Sequence, residues 1–63
     1  MDLAKRLLIY RIKKDLTQKE MAEKLGISDH TLCDIERERD VMLKTKLKVE
    51  LKLNELEKED KNE

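Results

Sequence analysis

The chain has 63 residues, of which 48% are charged, and its 15 basic and 15 acidic side chains give a formal net charge of zero. This length allows one small domain whose core is marginal in a monomer, so we expect an oligomer. With no net charge, any affinity for nucleic acid must come from local basic clusters. One cysteine excludes an internal disulfide, and no apolar run reaches the length of a signal peptide or membrane span, so we expect a cytoplasmic protein.

The residue types present favour a mainly helical protein without a catalytic site. The chain has no proline, tryptophan or phenylalanine and a single glycine, so strand and turn signals are few. It offers no Ser-His-acid set, no phosphate-binding glycine loop and no room for an ordinary substrate pocket, so we expect no enzyme, no cofactor and no small-molecule ligand. His30, Cys33 and Asp34 have helical spacing, but a zinc site needs a fourth ligand, so we expect no metal.

The first predicted helix covers residues 2–14. Asp2 is a suitable N-cap, and the two lysines at positions 13 and 14 suit the negative end of the helix dipole. The apolar residues of this segment recur at helical spacing, which predicts that they face the core. They are Leu3, Leu7, Leu8 and Ile12.

The next segment carries the strongest local signals in the chain. Thr17 is an N-cap, and Glu20, three residues later, completes a capping box. Gly26 can adopt the left-handed conformation that ends a helix at little steric cost. These signals predict a helix over residues 18–25. Its predicted core residues are Met21, Ala22 and Leu25.

A third helix starts only two residues after the glycine. Ser28 is its N-cap, and the helix is predicted to run from Asp29 to about Arg37. Because the joint is so short, the second and third helices must cross steeply, as in a helix-turn-helix motif. The predicted buried side is Leu32, Ile35 and part of Glu36. The opposite side presents Asp29, His30, Cys33, Asp34 and Arg37.

Residues 41–53 fit two periods. As a strand, apolar residues and one threonine alternate with mostly charged residues over thirteen positions: Val41, Leu43, Thr45, Leu47, Val49, Leu51 and Leu53. As a helix, one face carries Met42, Val49, Leu53 and Leu56, and a second carries Leu43, Leu47 and Leu51. Leu, Lys and Glu are good helix formers, and a strand of this length without a turn is unusual, so we favour a helix over about 41–56.

The surplus apolar side of this segment predicts a homodimer. In the helical interpretation the dimer interface is Leu43, Leu47 and Leu51. In the strand interpretation, residues 41–53 extend a three-helix core and pair with their symmetry mate across the dimer. In both interpretations residues 1–56 form the domain, and residues 57–63 are a charged tail that we expect to fray.

The residues just described resemble the Cro and phage-repressor family of helix-turn-helix proteins, also called the xenobiotic-response-element type. The resemblance spans residues 7–56. Its diagnostic residues are Leu16-Thr17-Gln18, Glu20, Ala22, Leu25-Gly26, Ser28, Leu32 and Ile35-Glu36. It implies an all-α, lambda-repressor-like bundle of four or five helices, and a sequence-specific transcriptional regulator that binds two-fold-symmetric double-stranded operator DNA as a dimer. Such a protein would be a phage, plasmid or bacterial repressor.

The resemblance also implies roles for individual residues. Gln18 is expected to bond a DNA phosphate beside the helix N-terminus, and Arg11 and Glu36 to form a structural ion pair. The expected base-reading residues are Asp29, His30, Cys33 and Asp34. The other expected phosphate contacts are Thr17, Thr31, Arg37, Arg39, Lys44 and Lys46.

Four features of this chain depart from the family pattern. Glu38 stands where a glycine is common, the usual proline of the fourth helix is missing, and no distinct fifth helix is evident, so we expect the fourth helix to run on. Asp29 and Asp34 are acidic on the expected DNA side, where they repel phosphates, although a carboxylate can accept a hydrogen bond from cytosine N4. The alternative function is therefore a protein-interaction module, antitoxin-like or anti-repressor, whose acidic side meets a basic partner.

Overall fold

The computed structural model of the protein describes residues 2–61; Met1, Asn62 and Glu63 lie outside the described residues. The described chain forms four helices and no strand: α1 (Leu3–Lys13), α2 (Gln18–Leu25), α3 (Asp29–Glu36) and α4 (Leu43–Lys61). The all-α class is confirmed, and the strand alternative for residues 41–53 is wrong. A helix over this segment brings Val49 and Leu53 together on the buried side, at the spacing that closes the core.

The three N-terminal helices begin where the sequence signals predicted. The Asp2 side chain accepts a hydrogen bond from the Lys5 backbone N–H at 2.9 Å. At α2 the capping box is complete, because the Thr17 N–H donates to Glu20 Oε1 at 2.8 Å and the Glu20 N–H donates to Thr17 Oγ1 at 3.1 Å. Ser28 caps α3 in the same way. These starts are confirmed because capping is a local property of four consecutive residues.

The same three helices end in one backbone motif. Each is followed by a residue in the left-handed region: Asp15 with φ 54°, Gly26 with φ 74° and Glu38 with φ 59°. In each case the N–H of the next residue donates to a carbonyl five residues earlier, at 2.8–3.1 Å. Only one of the three is glycine, so Asp15 and Glu38 hold a conformation that costs a residue with a Cβ roughly 1–2 kcal/mol.

The hydrophobic core lies where all four helices meet. α3 packs against α1 and α2, and α4 packs against the same two helices. The predicted core residues of α2 and α3 are confirmed as buried, as are Val49, Leu53 and Leu56 of α4. The complete buried set is Ala4, Leu7, Tyr10, Met21, Ala22, Leu25, Leu32, Ile35, Val49, Leu53 and Leu56.

Two apolar residues were assigned to the wrong side. Ile12 was predicted to face the core and is 72% exposed, whereas Tyr10 is buried in its place. The buried side of α1 is centred on Leu7, and five residues further on a helix has turned about 140° away. Met42 was placed beside Val49 and is also 72% exposed, because it precedes the first residue of α4.

α4 is fixed to the rest of the domain by polar contacts at both ends of its inner side. The Arg6 guanidinium of α1 donates to Glu57 Oε1 at 2.7 Å and also to Asn54 Oδ1. Near the start of α4, Lys48 Nζ donates to the Gly26 carbonyl at 3.5 Å. The helix continues to Lys61, so the segment expected to fray from residue 57 is helical in its described part. No helix of residues 2–61 is both long and apolar enough to cross a lipid bilayer.

Candidate nucleic-acid interface

α3 has a buried side and an exposed side, as an element that reads DNA requires. Leu32 and Ile35 are buried, at 0% and 3% exposure, so they fix the rotation of the helix about its axis. The four expected base-reading residues lie on the remaining surface. Asp29 and His30 are exposed in the first turn, and Cys33 and Asp34 are half-buried one turn later.

Glu36 joins α3 to the two preceding helices. Its carboxylate accepts hydrogen bonds from Arg11 Nε at 3.0 Å and Arg11 Nη2 at 3.3 Å, which places in contact the two residues that the resemblance pairs. Its Oε1 also accepts from Gln18 Nε2 at 3.1 Å. The Glu36 side chain is only 6% exposed, so these donors satisfy a nearly buried charge. The contact with Gln18 was not foreseen from the sequence.

The Gln18 contact fixes a side chain at the N-terminus of α2. One N–H of the amide group is held by Glu36, and the amide has a second N–H. The free backbone N–H groups of the first helical turn and the helix dipole lie at the same end of α2. A half-buried, tethered amide beside this end is suited to bind a phosphate without a large loss of side-chain entropy.

The two threonines expected at the phosphates both act in helix caps. Thr17 Oγ1 accepts from the Glu20 N–H, and Thr31 Oγ1 accepts from the Ser28 hydroxyl at 2.9 Å. The Thr31 oxygen is therefore engaged as an acceptor, which leaves its O–H as the donor for an anion, whereas the Thr17 hydroxyl also interacts with the Glu20 carboxylate. The caps hold both groups at the N-termini of α2 and α3, respectively.

The structure groups some of the expected basic contacts and separates others. Arg39 and Lys46 line one shallow groove between the start of α1, the end of α3 and the start of α4. Asp2 and Glu38 line the same groove, so its charges balance. Arg37 and Lys44 are exposed and are not part of this groove.

Asp34 is, after Glu36, the second acidic residue of α3 that has a contact not foreseen from the sequence. Its Oδ1 lies 3.6 Å from Arg39 Nη1, and its Oδ2 lies 3.4 Å from His30 Nε2. The His30 contact follows the i,i+4 rule for helices and was readable from the sequence. The Arg39 contact spans the end of α3 and depends on the left-handed backbone of Glu38. A partner for Asp34 lessens the repulsion of phosphates that the sequence predicted.

The expected dimer interface is an exposed apolar row on the outer side of α4. Leu43, Leu47 and Leu51 are 70%, 51% and 64% exposed and are spaced by four residues, so they form one ridge. The inner side of the same helix carries the buried Val49 and Leu53. α4 therefore has two apolar sides, of which the described chain covers one.

Four helices with a tight α2–turn–α3 unit, a capped and tethered α2 N-terminus and an exposed α3 surface define a helix-turn-helix protein of the DNA-binding class. A family model described as "Helix-turn-helix" matches residues 7–56. The chain belongs to this family, the Cro and phage-repressor type, and is a DNA-binding transcriptional regulator of that type. No curated protein and no solved structure matches the chain.

Proposed function

We propose that the protein is a sequence-specific repressor that binds a two-fold-symmetric operator as a homodimer. The observation that carries this proposal is the Glu36 contact, which ties the phosphate-binding amide of Gln18 to the end of α3. A regulator needs its phosphate contacts and its base-reading helix in one fixed geometry, because phosphates set the register in which base edges are read.

In the proposed complex, α3 enters the major groove. The first turn of α3 brings Asp29 and His30 to the base edges, and the next turn brings Cys33 and Asp34. The α2 N-terminus, with Gln18 and the Thr17 hydroxyl, contacts the phosphates on one side of the groove, together with the Thr31 hydroxyl at the N-terminus of α3. The remaining phosphate contacts are assigned to Arg37, Arg39, Lys44 and Lys46.

The second copy of the chain is proposed to bind through Leu43, Leu47 and Leu51. A ridge of three half- to mostly exposed leucines in so small a domain is a large apolar surface to leave in water. A two-fold dimer would bury this ridge against itself and present two copies of α3 about one turn of DNA apart. Repression then follows from steric exclusion of polymerase, and the amount of protein sets operator occupancy.

The test is selection of tightly bound sequences from a random double-stranded DNA pool at moderate salt, followed by sequencing. We expect enrichment of an inverted repeat whose half-sites are centred about 10 base pairs apart. Enrichment of a single half-site without symmetry would contradict the dimer and leave DNA recognition intact. No enrichment would contradict the proposal as a whole.

A further inference from the structure

On the exposed side of α3, the Asp34 carboxylate lies between two neighbouring side chains, His30 and Arg39. Its side chain is 21% exposed, whereas that of its neighbour His30 is 82% exposed. Arg39 and His30 approach different oxygens of the carboxylate, at 3.6 and 3.4 Å. A carboxylate held from two sides has fewer rotamers to lose when it meets a base.

The backbone explains why Arg39 reaches back to α3. Glu38 adopts φ 59°, and the chain reverses there so that the Arg39 N–H donates to the Asp34 carbonyl at 2.8 Å. The backbone N–H and the guanidinium of Arg39 therefore both contact Asp34. Among the described residues, the Asp29 side chain has no ion pair of this kind, so the two acidic residues of α3 differ in their electrostatic setting.

The chemistry of a paired carboxylate restricts the base that it can read. An ionised carboxylate accepts hydrogen bonds and donates none, so it is repelled by guanine N7 and O6 and by thymine O4. In the major groove the N6 amino group of adenine lies between two acceptors, its own N7 and O4 of the paired thymine, whereas the N4 amino group of cytosine has an acceptor, O6 of the paired guanine, on one side only. Each carboxylate oxygen has two lone pairs, so Asp34 can accept from a base while it keeps its present partners.

We propose that Asp34 is a specificity-determining residue that selects a C·G base pair by accepting a hydrogen bond from cytosine N4, and that Arg39 is its positioning residue. This inference rests on the proposed function, because it assumes that α3 lies in the major groove of an operator. The inference adds to the proposed function the identity of one base in the operator and separate roles for Asp34 and Arg39.

The first experiment compares the sequences enriched by the wild-type protein, by Asp34→Asn and by the control Glu59→Gln. Both variants remove one negative charge, and Glu59 is an exposed residue near the end of α4. We expect a cytosine at one position of each wild-type half-site, a change to adenine at that position with Asp34→Asn, and no change with Glu59→Gln. The asparagine should prefer adenine because its amide pairs with both N6 and N7.

The second experiment measures affinity for the enriched operator and for an operator with that cytosine pair replaced. Wild-type protein should discriminate by about 5- to 150-fold. Arg39→Gln should reduce this ratio, and Arg39→Lys, which keeps the positive charge, should restore part of it. If Arg39 only contacts a phosphate, Arg39→Gln would weaken both complexes equally and leave the ratio unchanged, which would overturn its positioning role.

The outcomes separate this inference from the proposed function. If the wild-type protein enriches an operator that contains no preferred cytosine, or if Asp34→Asn enriches the same sequence as wild type, the role of Asp34 is overturned and the regulator remains. If the wild-type protein enriches nothing, both are overturned. The wild-type measurement with two operators needs no variant, so a wild-type protein that does not discriminate overturns the role of Asp34 even if Asp34→Asn is unstable.

Discussion

At the scale of single residues, the Glu36 carboxylate links α3 to both of the preceding helices. It accepts from Arg11 of α1 and Gln18 of α2, and only 6% of its side chain is exposed. Hydrogen bonds to a charged, nearly buried group are stronger than those between neutral groups, and the donors lose their partner when the charge is removed. Stability and the proposed phosphate contact of Gln18 therefore depend on the same oxygen atoms.

Glu36→Gln is expected to lower the free energy of unfolding by about 1.5–3 kcal/mol, because the new amide keeps one acceptor and turns an N–H group toward the donors. Denaturant or thermal unfolding followed by circular dichroism measures this change. The control is Glu55→Gln, since Glu55 is 67% exposed and pairs with Lys52 at 3.5 Å on the surface. That substitution should change stability by less than about 0.5 kcal/mol. Equal effects of the two substitutions would contradict the role of Glu36.

At the scale of the helices, the left-handed ends of α1 and α3 store strain that the end of α2 avoids with glycine. Glu38 holds φ 59° with a Cβ, and glycine is the residue that adopts this conformation freely. Asp15 holds φ 54°, but aspartate tolerates the left-handed region better than glutamate does. Substitution by glycine at each of the two sites therefore gives a matched pair of variants.

Glu38→Gly should raise the stability of the domain by about 0.5–1 kcal/mol. The gain is the relieved strain, reduced by the greater freedom of glycine in the unfolded chain. For a domain of this size it corresponds to an increase in Tm of about 2–8 °C. Asp15→Gly should give a smaller increase. A lower Tm for Glu38→Gly would show that the Glu38 side chain contributes more to stability than its backbone strain costs.

The capping box of α2 makes the stability of the domain depend on pH. The Thr17 backbone N–H, followed by the Thr17 hydroxyl, stabilises the ionised form and holds the pKa of Glu20 below its ordinary value. Because the folded-state pKa is lower than the unfolded one, this contribution is present above the unfolded pKa of about 4.3 and is lost as pH falls through the folded pKa.

Glu20→Gln should therefore lower Tm at neutral pH and have a diminishing effect as the solution is acidified below the unfolded-state pKa. Thermal unfolding of both proteins over a pH series measures the difference. Glu23→Gln, at an exposed position of the same helix whose carboxylate caps no helix, is the control and should show a weaker dependence. A Glu20→Gln effect that is constant across the series would exclude the charged capping box as its cause.

Capping signals made α2 and α3 predictable, because each start is decided by residues within one turn. The C-terminal segment was ambiguous because its leucines, spaced by two and by four residues, satisfy both a strand and a helix. The Ile12 prediction was wrong because apolar residues occupy two sides of α1, and only packing selects one. The contact of Asp34 with Arg39 depends on the backbone of Glu38, which helical periodicity does not describe.

At the scale of the whole molecule, α4 carries the surface that the proposed dimer would bury. Leu47 is the central residue of the exposed leucine ridge and is 51% exposed. Leu47→Glu should convert a dimer into a monomer of 7.5 kDa, because the charge would have to be buried at the two-fold axis. Sedimentation or light scattering gives the mass of each species.

The control for this substitution is Ile12→Glu, at an apolar residue of α1 that is 72% exposed and lies outside the ridge. It should leave the mass unchanged. If the Leu47→Glu protein remained a dimer, the dimer interface would have to lie outside the leucine ridge. Loss of the proposed dimer should also weaken operator binding, since the two copies of α3 would no longer bind as a unit.

One of the contacts that join α4 to the rest of the domain is made by Lys48, whose ammonium donates to the carbonyl of Gly26 at the bend between α2 and α3. The helix proposed to meet the second subunit therefore also touches the joint of the recognition unit. In the proposed dimer, a substitution along the leucine ridge would change how the two subunits meet, and with it the separation of the two copies of α3, without replacing any base-reading residue. Operator spacing and operator sequence would then be free to diverge independently in evolution, the first through α4 and the second through α3.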